Sequence, residues 1–158
     1  DGVCRTAHCP VVVVNLGRQP DAAMNRILVP IKDLSASARE QVELALRVIN
    51  SATADQRTRI TLLHVHDPRF SGSDRQWMEE QLIRWRPAGI PADRFHIVIV
   101  RGPGIDGSIH RLSRDHDLVI LRTQRRRVAG LPIPGSDRIS KLISQLPCAS
   151  MVISDPLV

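Results

Sequence analysis

The chain has no tyrosine and only four aromatic side chains, Phe70, Phe95, Trp77 and Trp85. Single-stranded nucleic acid is held on aromatic platforms, so nucleic acid is a minor reading despite a net charge of +6. Lysine is nearly absent as well, with Lys32 and Lys141 the only two among 22 basic residues. A positive charge built from arginine favours planar, bidentate anion recognition over diffuse attraction. Cysteine is scarce and odd in number: Cys4, Cys9 and Cys148 form no regular framework. That argues against a disulfide-stapled secreted scaffold and for a reducing compartment, the cytosol by default. No apolar run approaches the roughly 18 residues that cross a bilayer, and no signal-peptide pattern opens the chain. The first residue is Asp1 rather than an initiator methionine, which reads as a piece of something larger, with a membrane protein as a possible parent.

With 158 residues, 42% of them hydrophobic, there is enough chain for one domain with a proper core plus a flank. Five strand patterns alternate with four helix patterns once the first two dozen residues are set aside, which predicts an α/β fold with a parallel sheet. The strands are Arg26 to Ile31, Arg59 to His66, Phe95 to Arg101, Asp117 to Arg122 and Ser150 to Ser154. They are rich in Ile, Val and Leu with little alternation, as in strands covered on both faces. The first helix pattern opens on a capping box, Ser37 with Glu40, and turns Val42, Ala45, Leu46 and Ile49 inward before Asn50 and Ser51. The second shows Ser73 with Gln76, then Met78, Leu82 and Trp85, and stops before Pro87. The third carries Ile105, Ile109 and Leu112; the fourth opens at Gly135-Ser136 and carries Ile139, Leu142, Ile143 and Leu146.

An internal echo organises the flank. His8-Cys9-Pro10-Val11-Val12-Val13-Val14 resembles Pro147-Cys148-Ala149-Ser150-Met151-Val152-Ile153, the chain's own last strand. The division expected from it is a closing strand and linker of a preceding repeat over 1–23, and a complete domain over 24–158.

Three motifs are better explained without a ligand, and the first is a decoy. Gly102-Pro103-Gly104-Ile105-Asp106-Gly107 matches the dinucleotide fingerprint in letters, but it follows the third strand, expected at a sheet edge. The fingerprint belongs to the first strand-helix unit, beside the point where strand order reverses. The acid expected about 20 residues on is missing too, with Arg122 and Arg127 in that neighbourhood. Turn glycines explain the motif better, leaving an NADP site with Arg122 on the extra phosphate as the outside reading. His64-Val65-His66-Asp67 places two imidazoles on one strand face, and Cys4, His8 and Cys9 cluster near the start. Neither has a third and fourth ligand at recognisable spacing, so no metal site is expected. No paired carboxylates, nucleophile elbow or Cys/His arrangement supports acid-base or covalent chemistry. The chain does not read as an enzyme.

The segment from Leu118 to Ser136 says most. An apolar strand is followed by an arginine-rich, proline-bearing loop with Arg125, Arg126 and Arg127, and then by the Gly135-Ser136 helix start. Free backbone N–H groups at such a start attract anions. A solvated loop is the plain alternative.

These residues resemble the universal stress protein family from Arg26 to Ser154. Ile27-Leu28-Val29-Pro30 is similar to the family's first strand, Leu62-Leu63-His64-Val65 to its second, and Leu146-Pro147-Cys148 to the approach to its last. The family's phosphate motif, G-x2-G-x9-G-[ST], reads here as Arg122-x2-Arg125-x9-Gly135-Ser136. The resemblance implies a five-stranded parallel sheet in order 3-2-1-4-5 with helices on both faces, and adenine nucleotide at the C-terminal ends of strands one and four. Carried onto this chain, the site is Pro30, Ile31, Lys32, Asp33, Val65, Leu121, Arg122, Thr123, Arg125, Gly135 and Ser136. Motif glycines let backbone approach phosphate and adopt positive φ, which costs other residues about 1 kcal/mol or more. Arginine at 122 and 125 and an acidic Asp137 in the helix's first turn therefore point to a degenerate site. Arginine side chains could instead clamp an anion bidentately, so weak ATP or AMP, or cyclic di-AMP, are the ligands to test.

Two such domains in series, rich in arginine, resemble the cytosolic tail of some bacterial cation/proton antiporters. The resemblance implies a regulatory or sensory module beneath an inner-membrane transporter, partnered by the preceding repeat and the transmembrane domain. Family dimers use the last-strand edge, so a homodimer through 150–154 is expected, with Val11 to Val14 pairing against Met151 to Ile153 of the same or a neighbouring chain. A stand-alone nucleotide-binding stress protein, or a weak ATP hydrolase using Asp33, is the competing reading.

Overall fold

Strands with almost no exposed positions need cover on both sides, and among the described residues four helices supply it. The computed structural model describes residues 11–17, 24–51, 58–66, 69, 72–86, 90–102, 104–123, 126–128, 131–133 and 136–155. In chain order the elements are β1 (Val11–Asn15), β2 (Arg26–Ile31), α1 (Ala36–Ser51), β3 (Arg59–His66), α2 (Gly72–Arg84), β4 (Phe95–Arg101) and α3 (Ile105–Ser113). They continue with β5 (Leu118–Thr123), β6 (Arg126–Val128), β7 (Leu131–Ile133), α4 (Ser136–Gln145) and β8 (Ala149–Ser154). A one-turn 3-10 helix, Ala92–Arg94, leads into β4.

The main sheet has six strands in the order β1-β8-β5-β2-β3-β4. Five are parallel, and in the numbering of the complete domain their order is the expected 3-2-1-4-5, with β4 at one edge. The sixth corrects the count of five. β1 joins antiparallel to β8, from Val11 opposite Ser154 to Asn15 opposite Ser150. The last-strand edge is thus already paired within the chain, so a homodimer through 150–154 would first have to displace β1.

Side chains alternate between two cores. Ile27, Val29, Ile31, Leu62 and Ile120 face α1 and α2, meeting Ala38, Val42, Ala45 and Leu82. Leu28, Leu63, Val119 and Leu121 face the other way, meeting Ile109 of α3 and Leu142 of α4. Burying each such aliphatic side chain is worth about 1.5–3 kcal/mol against exposure, and this two-sided burial sets the strand register.

Helix starts differ in two places, the first being α2, which begins at Gly72 and so places Ser73 inside the helix, with Gln76 bonded onward to Glu80 at 3.5 Å. The cap of α1 is Ser35, whose hydroxyl accepts from the Ala38 N–H at 3.3 Å, rather than the Ser37 and Glu40 box. Glu40 is drawn into an ion pair described below, which removes it from any capping role. Ala38, Gln41, Val42 and Ala45 form the buried face of α1, with Leu46 half-buried; the Ile49 side chain lies outside the described residues. The arginine-rich loop also departs from expectation, because it contains the two-stranded hairpin β6-β7, with Arg126 opposite Ile133 and Val128 opposite Leu131.

Candidate functional site: the cleft where β2 and β5 part

β2 and β5 are neighbours for a short distance only. Their register consists of Ile27 with Leu118 and Leu28 with Val119; beyond it the strands diverge towards their C-terminal ends. This is where connections leave the sheet in opposite directions, the topological switch point at which open α/β sheets bind ligands. At the N-terminal end the pair is closed by Asp117. Its carboxylate accepts the backbone N–H of Asn25 at 3.1 Å and of Arg26 at 2.9 Å, and pairs with the Arg26 guanidinium at 3.1 Å. The Asp117 N–H returns a bond to the Arg26 carbonyl at 2.8 Å.

Gln41 holds the diverging end. From the buried face of α1, 3% exposed, its side-chain amide donates to the carbonyls of Pro30 at 3.1 Å and Ile120 at 2.6 Å. Both acceptors lie past the last β2-β5 pair, and a buried acceptor left unsatisfied costs about 1–3 kcal/mol. Sequence reading missed this residue. The available signal was a lone amide between Ala38 and Val42 on an apolar stripe.

Above Gln41 lies a cavity of about 630 Å³, within the range of small-molecule sites. One wall is the start of α1, with Ser35, Ser37 and Ala38; the other is α3 and α4, with Ile105, Asp106, Ile109, Arg138, Ile139 and Leu142. Of the residues expected from sequence, Pro30, Lys32, Asp33, Leu121, Arg122 and Thr123 line it together. Ile31 and Val65 do not: Ile31 is buried beneath α1, and Val65 packs in the opposite core. Ser136 is the first residue of α4, and Arg125 and Gly135 lie outside the described residues.

The charges on the rim are largely paired. Arg122, its side chain 15% exposed, donates to the Ser37 carbonyl at 2.8 Å and to Glu40 Oε2 at 2.9 Å, and forms an ion pair with Asp155. Burial alone would lower its pKa, but Asp155 and Glu40 outweigh it and hold the guanidinium's pKa above the ordinary value. Across the cavity Arg138 meets Asp106 at 2.6 Å. Asp33 is exposed, and its carboxylate accepts the Ser35 N–H at 3.0 Å. Bonds from the Ser35 hydroxyl and N–H hold its pKa below the usual carboxylate value.

The other motifs take structural places. Gly102, Gly104 and Gly107 sit at the far edge after β4, none has positive φ, and an added Cβ at any of them would meet nothing within 4 Å. His64 and His66 stand on the α1 side of β3 with ring centroids 6.2 Å apart, and burial pushes the His64 pKa down. Among the described residues no group of three or more His, Cys, Asp or Glu side chains is placed to hold a metal; Cys4, His8, Cys9 and Asp67 lie outside them. Among the described residues, too, no helix is long and apolar enough to cross a membrane.

No family model matches the chain. Solved universal stress proteins share its fold: one from Archaeoglobus fulgidus DSM 4304 superposes with a TM-score of 0.64 at 19% identity, over 98% of this chain and 53% of that one. UspA from Lactobacillus plantarum gives 0.53 at 20% identity, over 85% and 99%. A functionally unknown protein of Pseudomonas aeruginosa PAO1 gives 0.55 at 19% identity, over 98% and 55%. In sequence, the chain is 28% identical over 156 residues to the Na(+)/H(+) antiporter NhaS5 of Synechocystis sp., matching 99% of this chain but only 22% of that protein's length. The fold is therefore that of universal stress proteins, and the likeness in sequence is to part of an antiporter.

Proposed function

We propose that the chain is a non-catalytic regulatory or sensory domain of a membrane cation/proton antiporter, acting on the cytosolic side, with a degenerate adenine-nucleotide cleft. The observation that carries the degenerate cleft is the engagement of Arg122. It stands where the family motif has its first glycine, and its guanidinium is directed to Glu40, Asp155 and the Ser37 carbonyl. A clamp for phosphate needs that fork free. With Asp155 18% exposed and Arg122 15% exposed, the pair is shielded from solvent and resists displacement by an incoming anion more than a surface bridge would.

The antiporter reading rests on sequence similarity along almost the whole chain to a part of such a protein. A module of this kind regulates by binding a ligand or a neighbour differently in two transport states. The hydrolase reading would use Asp33, on the cavity rim, as a base; its pKa is lowered and its carboxylate is held by Ser35, a poor setting for accepting a proton near neutral pH.

Calorimetric titration with ATP, AMP and cyclic di-AMP, run beside a phosphate-release assay, tests this. Weak or no heat from ATP and no phosphate release are expected. Tight ATP binding would overturn the degenerate cleft, and release of phosphate would overturn the non-catalytic assignment.

A further inference from the structure

The two edges of the main sheet are unlike. β1 covers one of them. The other is β4, which among the described residues has a strand neighbour, β3, on one side only. The Gly102 N–H reaches the His66 carbonyl, and this sets which backbone groups of β4 are used. His96, Val98 and Val100 turn theirs to β3, while Ile97 and Ile99 turn theirs outward, as the alternation of a parallel ladder requires.

Edge strands are ordinarily blunted by charge, proline or a bulge. The middle of β4 is Ile97-Val98-Ile99-Val100, and its register with β3 runs without a break from Phe95 to Arg101, so it has none of the three. All four side chains are half-buried, Ile97 and Ile99 towards α1 and α2, Val98 and Val100 towards α3 and α4. A second, independent observation marks the same edge. Apart from β1 and Leu16, the large apolar residues left exposed among the described ones are Trp77, at 57%, and Ile83, at 58%. Both belong to α2, the helix that packs on β4 and whose Met78 and Leu82 share a core with Ile97 and Ile99.

We propose that β4 is the surface on which a second copy of this chain docks, strand to antiparallel strand, about a two-fold axis at Val98. The strand itself selects this partner. Bonds across the seam can come only from residues whose backbone groups point outward, and an axis at Val98, the middle residue of β4, sets Ile97 opposite Ile99 of the second copy and Ile99 opposite its Ile97. Val98 then meets Val98, His96 meets Val100, and Arg101 meets Phe95, so apolar side chains stand together and no like charges are opposed. Such an axis is normal to the sheet. Both α2 helices therefore come to one face of the joined sheet, one on each side of the seam, and their exposed Trp77 and Ile83 are the apolar area available to reach the roughly 800 Å² per partner of a stable interface. The β1 edge and the cleft stay as they are, so the proposal depends neither on nucleotide binding nor on the antiporter reading.

Sedimentation of the 158-residue chain tests it, beside V98K and V98E, each of which opposes like charges at the axis. The unaltered chain is expected to be a dimer at micromolar concentration, each single variant to weaken the dimer at least tenfold, and an equimolar mixture of the two to restore it. I99P, which removes an outward N–H and none that β3 uses, should weaken the dimer too, while its unfolding midpoint, read where the unaltered chain is dissociated, stays close to the unaltered one. A monomer at every concentration would overturn the proposal. So would a dimer that V98K and I99P leave intact, which would lie on another surface, or a mixture of V98K and V98E that stays monomeric.

Discussion

The two ends of the β2-β5 seam solve opposite problems with one side chain each. At the N-terminal end Asp117, a charged acceptor, draws two backbone N–H groups and Arg26 together and closes the strands. At the C-terminal end Gln41, a neutral donor, bridges the carbonyls of Pro30 and Ile120 beyond the last β2-β5 pair and ties both diverging strands to α1. A cleft in a parallel sheet is thus a stabilised feature, held from behind by a helix, and not merely the place where pairing stops. The closed end is structural; the open end is where the sheet exposes chemistry.

Breaking the open end should cost most. Q41A leaves the Pro30 and Ile120 carbonyls without their donor in a buried setting and is expected to destabilise by about 3 kcal/mol, read as the urea unfolding midpoint. Q41E, nearly the same shape, should be worse near neutral pH, because a buried carboxylate would face two carbonyl oxygens. At the closed end D117A removes the acceptor of two N–H groups that water can partly replace, so about 2 kcal/mol is expected. D117N should recover part of it. A ranking with D117A well above Q41A would show that the seam depends on its closed end.

Acid sharpens the comparison. His64, on β3 opposite Ile31, is kept neutral by burial, so its folded pKa lies below the ordinary 6.5. The unfolded chain then takes up the proton first, and stability is lost as pH falls below 6.5. Asp33 works in the same direction in a lower window, because its folded pKa lies below 3.8 and its contribution fades only below that value. Unfolding midpoints measured from pH 7 to 3 should therefore fall in two steps, with H64Q flattening the upper and D33N the lower. The smallest expected effect is E40A, since Glu40 is 65% exposed and such a pair contributes about 0–1 kcal/mol. Its interest is in the cleft, where Arg122 would keep Asp155 and the Ser37 carbonyl.

Cover on both faces was legible because Ile27 to Val29, Leu62 with Leu63, and Val119 to Leu121 leave no polar face, whereas the strand order came only with the family resemblance. The cleft's outline was legible through Pro30, Asp33 and Arg122, carried by family spacing. What the chain letters hid were partnerships across long separations. Glu40 looked like half a capping box because its true partner, Arg122, lies in another element, and Gln41 went unread because nothing local marks the Pro30 and Ile120 carbonyls that it bridges. β1 was visible as an echo of β8, but that it pairs with β8 of the same chain took the fold to settle.

The most direct test of the engaged Arg122 is calorimetry of ATP against the unaltered chain and against R122G/R125G, which returns glycine to both motif positions. The unaltered chain should show weak or no binding and the double variant a gain of at least tenfold, about 1.4 kcal/mol. ATP binding by the unaltered chain at low micromolar concentration, unchanged or weakened in the variant, would contradict it.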